Sequence, residues 1–260
     1  MKPARRSLPH GEAASKVPEV TLVFWLIKIA ATTLGETAGD AVSMSLGLGY
    51  AVGTGIFAVF FLLAASAQIR SRTFHPFLYW AAIVATTTVG TTLADFSTRS
   101  MGVGYIGGSL ILFALLMLVL AVWRFIMGTV SVRHITSPRM EMFYWLTILF
   151  SNTLGTALGD FLSDNPAFGY GGSAVVFGIL LLVIAGLYYC TNLSHTLLFW
   201  AAFILTRPLG ATLGDILTKP LSDGGLDLSR FVSTGVIALF MIVGILFSSR
   251  HARISPKAKP

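Results

Sequence analysis

Four aspartates recur in this chain at fixed distances from four tryptophans. Counting from Trp25, a glycine follows ten residues on at Gly35 and an aspartate fifteen on at Asp40. The same offsets give Trp80, Gly90 and Asp95, then Trp145, Gly155 and Asp160, then Trp200, Gly210 and Asp215. Carboxylates grouped with hydroxyl and carbonyl oxygens are a donor set that hard divalent cations accept, and a ring of acids attracts cations in general. The four aspartates are therefore the candidate metal ligands. Four close carboxylates cannot all ionise cheaply, so at least one pKa is expected to rise, which would supply a proton-coupling element.

If each Trp-to-Asp segment is helical, offsets +3, +7, +11 and +15 lie one turn apart on one face. In the first segment these are Lys28, Thr32, Glu36 and Asp40; in the second, Ile83, Thr87, Thr91 and Asp95. The third gives Ile148, Asn152, Thr156 and Asp160, and the fourth Phe203, Arg207, Ala211 and Asp215. Each face is a polar stripe ending in an aspartate. Glu36, Lys28 and Arg207 have no counterpart in the other segments. Three readings of them compete: a charge-balancing cluster that fixes packing, a gate that repels cations until displaced, and contacts for a small organic anion, which Arg binds in bidentate fashion. Pro208 follows Arg207 and removes a backbone donor, so a kink is expected beside the stripe.

The elements that must hold these residues cross a membrane. The chain has 260 residues, 55% hydrophobic and 11% charged, with mean hydropathy +0.78. A soluble domain carries about 25% charged residues, so a soluble enzyme, a disulfide scaffold and a disordered chain are excluded. Apolar segments at about 19–43, 50–69, 75–97, 103–126, 139–162, 171–190, 195–218 and 230–248 each approach the ~20 residues that span a bilayer as a helix. They lack strand-like alternation, which excludes barrel strands. The expectation is an all-α polytopic membrane protein of eight spans.

Of the 18 basic residues, 13 fall in the two tails or in the loops after the second and fourth spans. Both termini are thus expected in the cytoplasm. That distribution also accounts for the net charge of +7 without nucleic acid. The organisation read from the chain is a basic tail at 1–18, two-helix repeats at 19–70 and 71–126, and a cytoplasmic connector at 127–138. Further repeats follow at 139–190 and 191–248, then a basic tail at 249–260. Each repeat has an even number of spans, so all four share one orientation, about an axis along the membrane normal.

Matching stripes predict that the first, third, fifth and seventh helices surround a central axis, since polar groups are expensive against hydrocarbon. The even helices read as lipid-facing scaffold. Small residues four apart, Gly35/Gly39, Gly90/Ala94, Gly155/Gly159 and Gly210/Gly214, allow close helix approach. The aspartates would lie roughly 22 Å from the tryptophan level at 1.5 Å per residue, where they could also cap the even helices or be solvated. The usual place for the tryptophans is the interfacial aromatic belt. Their position on the wheel alternatively points four indoles inward as a hydrophobic constriction. His75, His134 and His195 lie in loops and no His or Cys shares the stripes, which argues against a zinc or copper site.

The repeats, resting on Trp25, Trp80, Trp145 and Trp200 with the Gly and Asp that follow each, resemble the bacterial integral membrane proteins of the repeat-of-unknown-function family numbered 347. The resemblance covers about 19–248 and implies an integral protein of the bacterial inner membrane; it implies no activity. From the residues themselves, the expected function is transport or permeation of a small solute. The solute is most simply a cation such as Mn2+ or Mg2+, bound at Asp40, Asp95, Asp160 and Asp215. Thr32, Glu36, Thr87, Thr91, Asn152 and Thr156 would line the path, with Lys28, Arg207 and Pro208 as counter-charge or gate. The alternatives are an organic-anion transporter using Arg207 and Lys28, and a structural or sensory protein. Catalysis by paired aspartates is the minor reading; no enzyme activity is expected. The expected partners are the bilayer, a small ion or solute and a second copy of the chain; the only expected cofactor is a bound divalent cation.

Overall fold

In a computed structural model, which describes residues 16–71, 73–132, 135 and 137–254, the repeats become eight long helices. They are α1 (Leu22–Asp40), α2 (Gly49–Arg70), α3 (Pro76–Asp95), α4 (Gly104–Met127), α5 (Pro138–Ser163), α6 (Gly169–Cys190), α7 (His195–Thr218) and α8 (Arg230–Ile254). Residues 1–15 of the first basic tail and 255–260 of the second, with Arg72, Arg133 and His134, lie outside the described residues.

Local chemistry sets the helix ends. The hydroxyls of Thr21, Ser137 and Ser194 accept from backbone N–H groups in the first turns of α1, α5 and α7. Pro76 and Pro138 open α3 and α5, where a missing N–H costs nothing. A π-helical turn continues α1 through Ala41–Ser45 and α3 through Phe96–Ser100. Each is followed by a turn with two glycines at positive φ, Gly47 and Gly49 or Gly102 and Gly104, a conformation a Cβ would oppose.

The odd helices form a closed circuit of neighbours, α1 with α3, α3 with α5, α5 with α7 and α7 with α1. Each even helix packs chiefly on the odd helix of the following repeat: α2 on α3, α4 on α5, α6 on α7, and α8 back on α1. The two helices of one repeat therefore embrace different neighbours, and α8 closes the series. Burial follows this arrangement. In the most apolar stretches of α2, α4, α6 and α8, 22%, 11%, 11% and 17% of residues are buried, against 67%, 72% and 61% in α1, α3 and α7.

Among the described residues, seven helices are long and apolar enough to cross a membrane, α1 and α3 being counted with their π turns. The sequence led us to expect eight. The eighth, α5, has 26 residues but carries Ser151, Asn152, Thr153 and Thr156, all buried in the ring between α3 and α7. Its polarity is turned toward protein, which makes it look less like a span than its position does. The chain is an all-helical membrane protein.

Small residues decide how closely the ring helices approach. A Cβ on Gly90 would lie 3.1 Å from the backbone of Asn152 and Thr153, and one on Gly155 would lie 2.6 Å from Cβ and Cγ of Arg207. Gly35 abuts Thr87 and Gly210 abuts Thr32 in the same way. In every case the +10 glycine of one repeat meets the +7 residue of the next. One turn further on, Gly39 meets Thr91, Gly159 meets Ala211 and Gly214 meets Glu36. Contacts that advance together along both helices mean that the ring helices run parallel.

Candidate functional site

The +7 residues Thr32, Thr87, Asn152 and Arg207 are fully buried, at 0% exposure. They are used mainly to join helices. The Thr87 hydroxyl donates to the Ala31 carbonyl of α1 (3.1 Å), and the Thr32 hydroxyl donates to the Thr206 carbonyl of α7 (3.2 Å). The Asn152 amide donates to the Thr86 hydroxyl of α3 (3.0 Å), and the Lys28 ammonium donates to Asn152 Oδ1 (3.4 Å). Lys28 Nζ also sits 4.2 Å above the Phe203 ring. Thr156 donates back to the Asn152 carbonyl of its own helix. The residues expected to line a path thus form a packed polar layer.

Arg207 crosses that layer toward the next. Its Nη1 donates to the Thr32 carbonyl (3.3 Å), and its Nη2 donates to Glu36 Oε2 (2.8 Å) and to the Thr91 hydroxyl. Thr91 in turn donates to Glu36 Oε2 at 3.3 Å. Pro208, next in sequence, lies within a helix that runs on to Thr218, and its ring and backbone pack against Gly155 and Gly159 of α5.

Beyond Glu36 the acids gather. Asp40 and Asp95 are the last residues of α1 and α3, while Asp160 and Asp215 lie in the last turn of α5 and α7. None caps an even helix; the residues before α2, α4 and α6 are Leu48, Val103 and Phe168, without side-chain caps. All four are nearly buried, at 2–4% exposure. Glu36, Asp160 and Asp215, from three helices, each place a carboxylate oxygen within 4.8 Å of the others. Asp160 Oδ2 and Asp215 Oδ1 accept no hydrogen bond. That is a donor set of the charge and hardness a divalent cation takes.

The acids do not stand alone. Lys219 Nζ reaches Asp40 Oδ2 (2.9 Å) and Asp215 Oδ1 (3.2 Å), and Arg230 Nε lies 3.8 Å from Asp40. Arg99 bonds Asp95 (3.0 Å) and lies 3.7 Å from Asp160 and 3.6 Å from Asp164. The Tyr105 hydroxyl donates to Asp164 at 2.5 Å. Burial works against the charge on Lys219, but Asp215 and Asp40 outweigh it and hold its pKa above the ordinary lysine value. Glu36, Asp40, Asp95, Asp160, Asp164 and Asp215 face Arg99, Arg207, Lys219 and Arg230, which leaves two formal negative charges.

Sequence reasoning passed over Arg99, Lys219 and Tyr105 as site residues. The signal was present: Arg99 and Lys219 each follow a repeat aspartate by four residues, the helical spacing of an ion pair. Asp40 and Asp95 are engaged by Lys219, Arg230 and Arg99, and it is Glu36 that completes the close triad with Asp160 and Asp215.

At the opposite end, Trp80, Trp145 and Trp200 are buried, and Trp25 is partly so. They join Phe24, Tyr79, Tyr144, Phe199 and Phe203 in one aromatic cluster. An interfacial belt for all four indoles is replaced by inward packing, because the tryptophans share the ring-facing side of the odd helices.

A family model described as Repeat of Unknown Function (DUF347) matches residues 23–74, 78–129, 143–194 and 198–253. The chain belongs to this family. The four matches start 55, 65 and 55 residues apart, the same steps that separate the four tryptophans. No curated protein and no solved structure matches it.

Proposed function

We propose that this protein moves a small cation across the membrane, with Glu36, Asp160 and Asp215 as its binding site and Arg207 and Lys28 as a charged barrier beneath. The observation that carries this reading is the meeting of three nearly buried carboxylates from α1, α5 and α7 within 4.8 Å. Burying several acids together is costly unless a counter-charge repays it. Divalent ions such as Mn2+ and Mg2+ suit an all-oxygen set, and the absence of His and Cys from the stripes disfavours softer metals. A fully packed +7 layer supports a carrier that changes shape over an open pore. The organic-anion reading is weaker, because Arg207 already holds Glu36 at 2.8 Å.

The test is thermal unfolding of the detergent-purified protein against Mn2+, Mg2+, Ca2+, Na+ and small carboxylates, followed by flux into proteoliposomes. A cation that binds only the folded state stabilises it by about 2.7 kcal/mol at a hundredfold excess over Kd. The expected result is a rise with one divalent ion, lost in Asp160→Asn, and uptake of that ion. Stabilisation only by carboxylates, lost in Arg207→Gln, would overturn the cation reading in favour of an anion. No stabilisation and no flux with any cation would overturn it outright.

A further inference from the structure

Arg207 occupies an unusual place in this cluster. It is a fully buried cation on α7, and the acid it holds, Glu36, belongs to α1 and is also one of the three carboxylates of the close triad. Its Nη2 lies between Glu36 and Thr91 and its Nη1 reaches the Thr32 carbonyl, while its Nε has no acceptor. The guanidinium is therefore held from one end only, the end that faces Glu36. On the far side of Glu36, the buried Asp160 Oδ2 and Asp215 Oδ1 accept no hydrogen bond and are met by the ion pairs of Arg99 (3.7 Å) and Lys219 (3.2 Å). Glu36 has a fixed cation on one side and, on the other, two carboxylates whose facing oxygens meet only the rim cations Arg99 and Lys219.

From this geometry we infer that Arg207 is a tethered competitor for the transported cation. It neutralises Glu36 when the triad is empty and is displaced when a divalent ion takes that carboxylate. The inference deepens the cation reading and rests on it. A divalent ion drawn to Glu36, Asp160 and Asp215 would lie close to a guanidinium fixed 2.8 Å from Glu36, so bound ion and Arg207–Glu36 pair oppose each other. Each state leaves Glu36 with a positive partner, so a buried carboxylate is never abandoned while the ion comes and goes. The +7 and +11 layers are joined by this side chain. Its release would loosen α7 from α1 at the point where the ring of odd helices closes, between Gly210 and Thr32 and between Gly214 and Glu36.

The test is Mn2+ affinity, by calorimetric titration of the full chain in detergent, for wild type, Arg207→Met and Arg207→Lys, each also in a Glu36→Gln background. Arg207→Met should tighten Mn2+ binding by about tenfold or more, since a nearby like charge is removed. Arg207→Lys, which keeps the charge, should stay near wild type. In Glu36→Gln the gain from Arg207→Met should fall away. Arg207→Met leaves Glu36 without its partner and is liable to misfold, so Thr91→Val serves as a second variant. It keeps both charges and removes the hydroxyl that accepts from the guanidinium and donates to Glu36 Oε2, and should tighten Mn2+ binding by a smaller factor. If wild type binds Mn2+ but neither Arg207→Met nor Thr91→Val binds it more tightly, the competitor role is wrong and the cation site stands. If no form binds Mn2+, the cation reading falls and this inference with it.

Discussion

Gly210→Ala should destabilise the protein through the seam where the helix ring closes. A Cβ at this position would come within 2.5 Å of Thr32 Cβ and 2.9 Å of the Thr33 backbone nitrogen. A side chain could turn away; a backbone atom inside α1 cannot, so α1 and α7 must separate. That strains the Thr32 hydroxyl bond to the Thr206 carbonyl and the Arg207 bond to the Thr32 carbonyl, which span the same seam. Overpacking of this kind costs about 1–3 kcal/mol, and the rigid neighbour places Gly210 at the upper end. Alanine also gains about 1 kcal/mol of helix propensity over glycine, which partly hides the cost. The control is Gly55→Ala on the exposed face of α2, where a Cβ would meet nothing within 4 Å. It gains the same propensity without the clash. The two variants should therefore differ by about 3 kcal/mol, roughly 6–12 °C in Tm for a chain of this size. Thermal unfolding of both in one detergent reads the difference. Equal stability, or a more stable Gly210→Ala, would refute the claim that the small residues set the helix spacing.

Two further predictions concern the tryptophan end. Tyr79 and Tyr144 are buried with their hydroxyls 2.6 Å apart. Phe at either position leaves one hydroxyl unpaired and should cost about 1–3 kcal/mol, while the double variant should cost less than the sum of the singles, as a double-mutant cycle of unfolding midpoints would show. Lys16 pairs with the buried Glu141 at 2.5 Å, donates to the Ile69 carbonyl and accepts from Gln68 through its own carbonyl, tying the segment before α1 to α2 and α5. Lys16→Met should cost about 3 kcal/mol by stranding Glu141, and adding Glu141→Gln should recover much of that loss; no recovery in unfolding experiments would show that the pair is not what holds the segment.

The repeat spacing, the polar face of the odd helices and the apolar character of the even ones were all legible in the linear chain. Helical periodicity decides which side of a helix must be buried, and the four Trp–Gly–Asp spacings repeat that decision. The small residues four apart also pointed to close approach, and all seven glycines among those eight positions seat a neighbour's side chain or backbone, while Ala94 is fully buried beside Leu154 and Ala157. Periodicity does not say who the neighbour is. Nothing in the chain shows that α2 packs on α3, or that α8 returns to α1. Only ring closure brings Arg207 to Glu36, 171 residues earlier, and Lys219 to Asp40. The same closure makes Glu36 the partner of Asp160 and Asp215, while the rim cations Lys219 and Arg99 hold Asp40 and Asp95 and also reach Asp215 and Asp160. The segment 139–162 did read as a span in the linear chain, although the polarity of Ser151 and Asn152 leaves α5 less apolar than the other seven helices; packing explains this, since that polar side meets two neighbouring helices. Local spacing determines what each helix offers; the meeting of charges from distant repeats is settled by packing, where burial makes an unpaired charge too costly to leave.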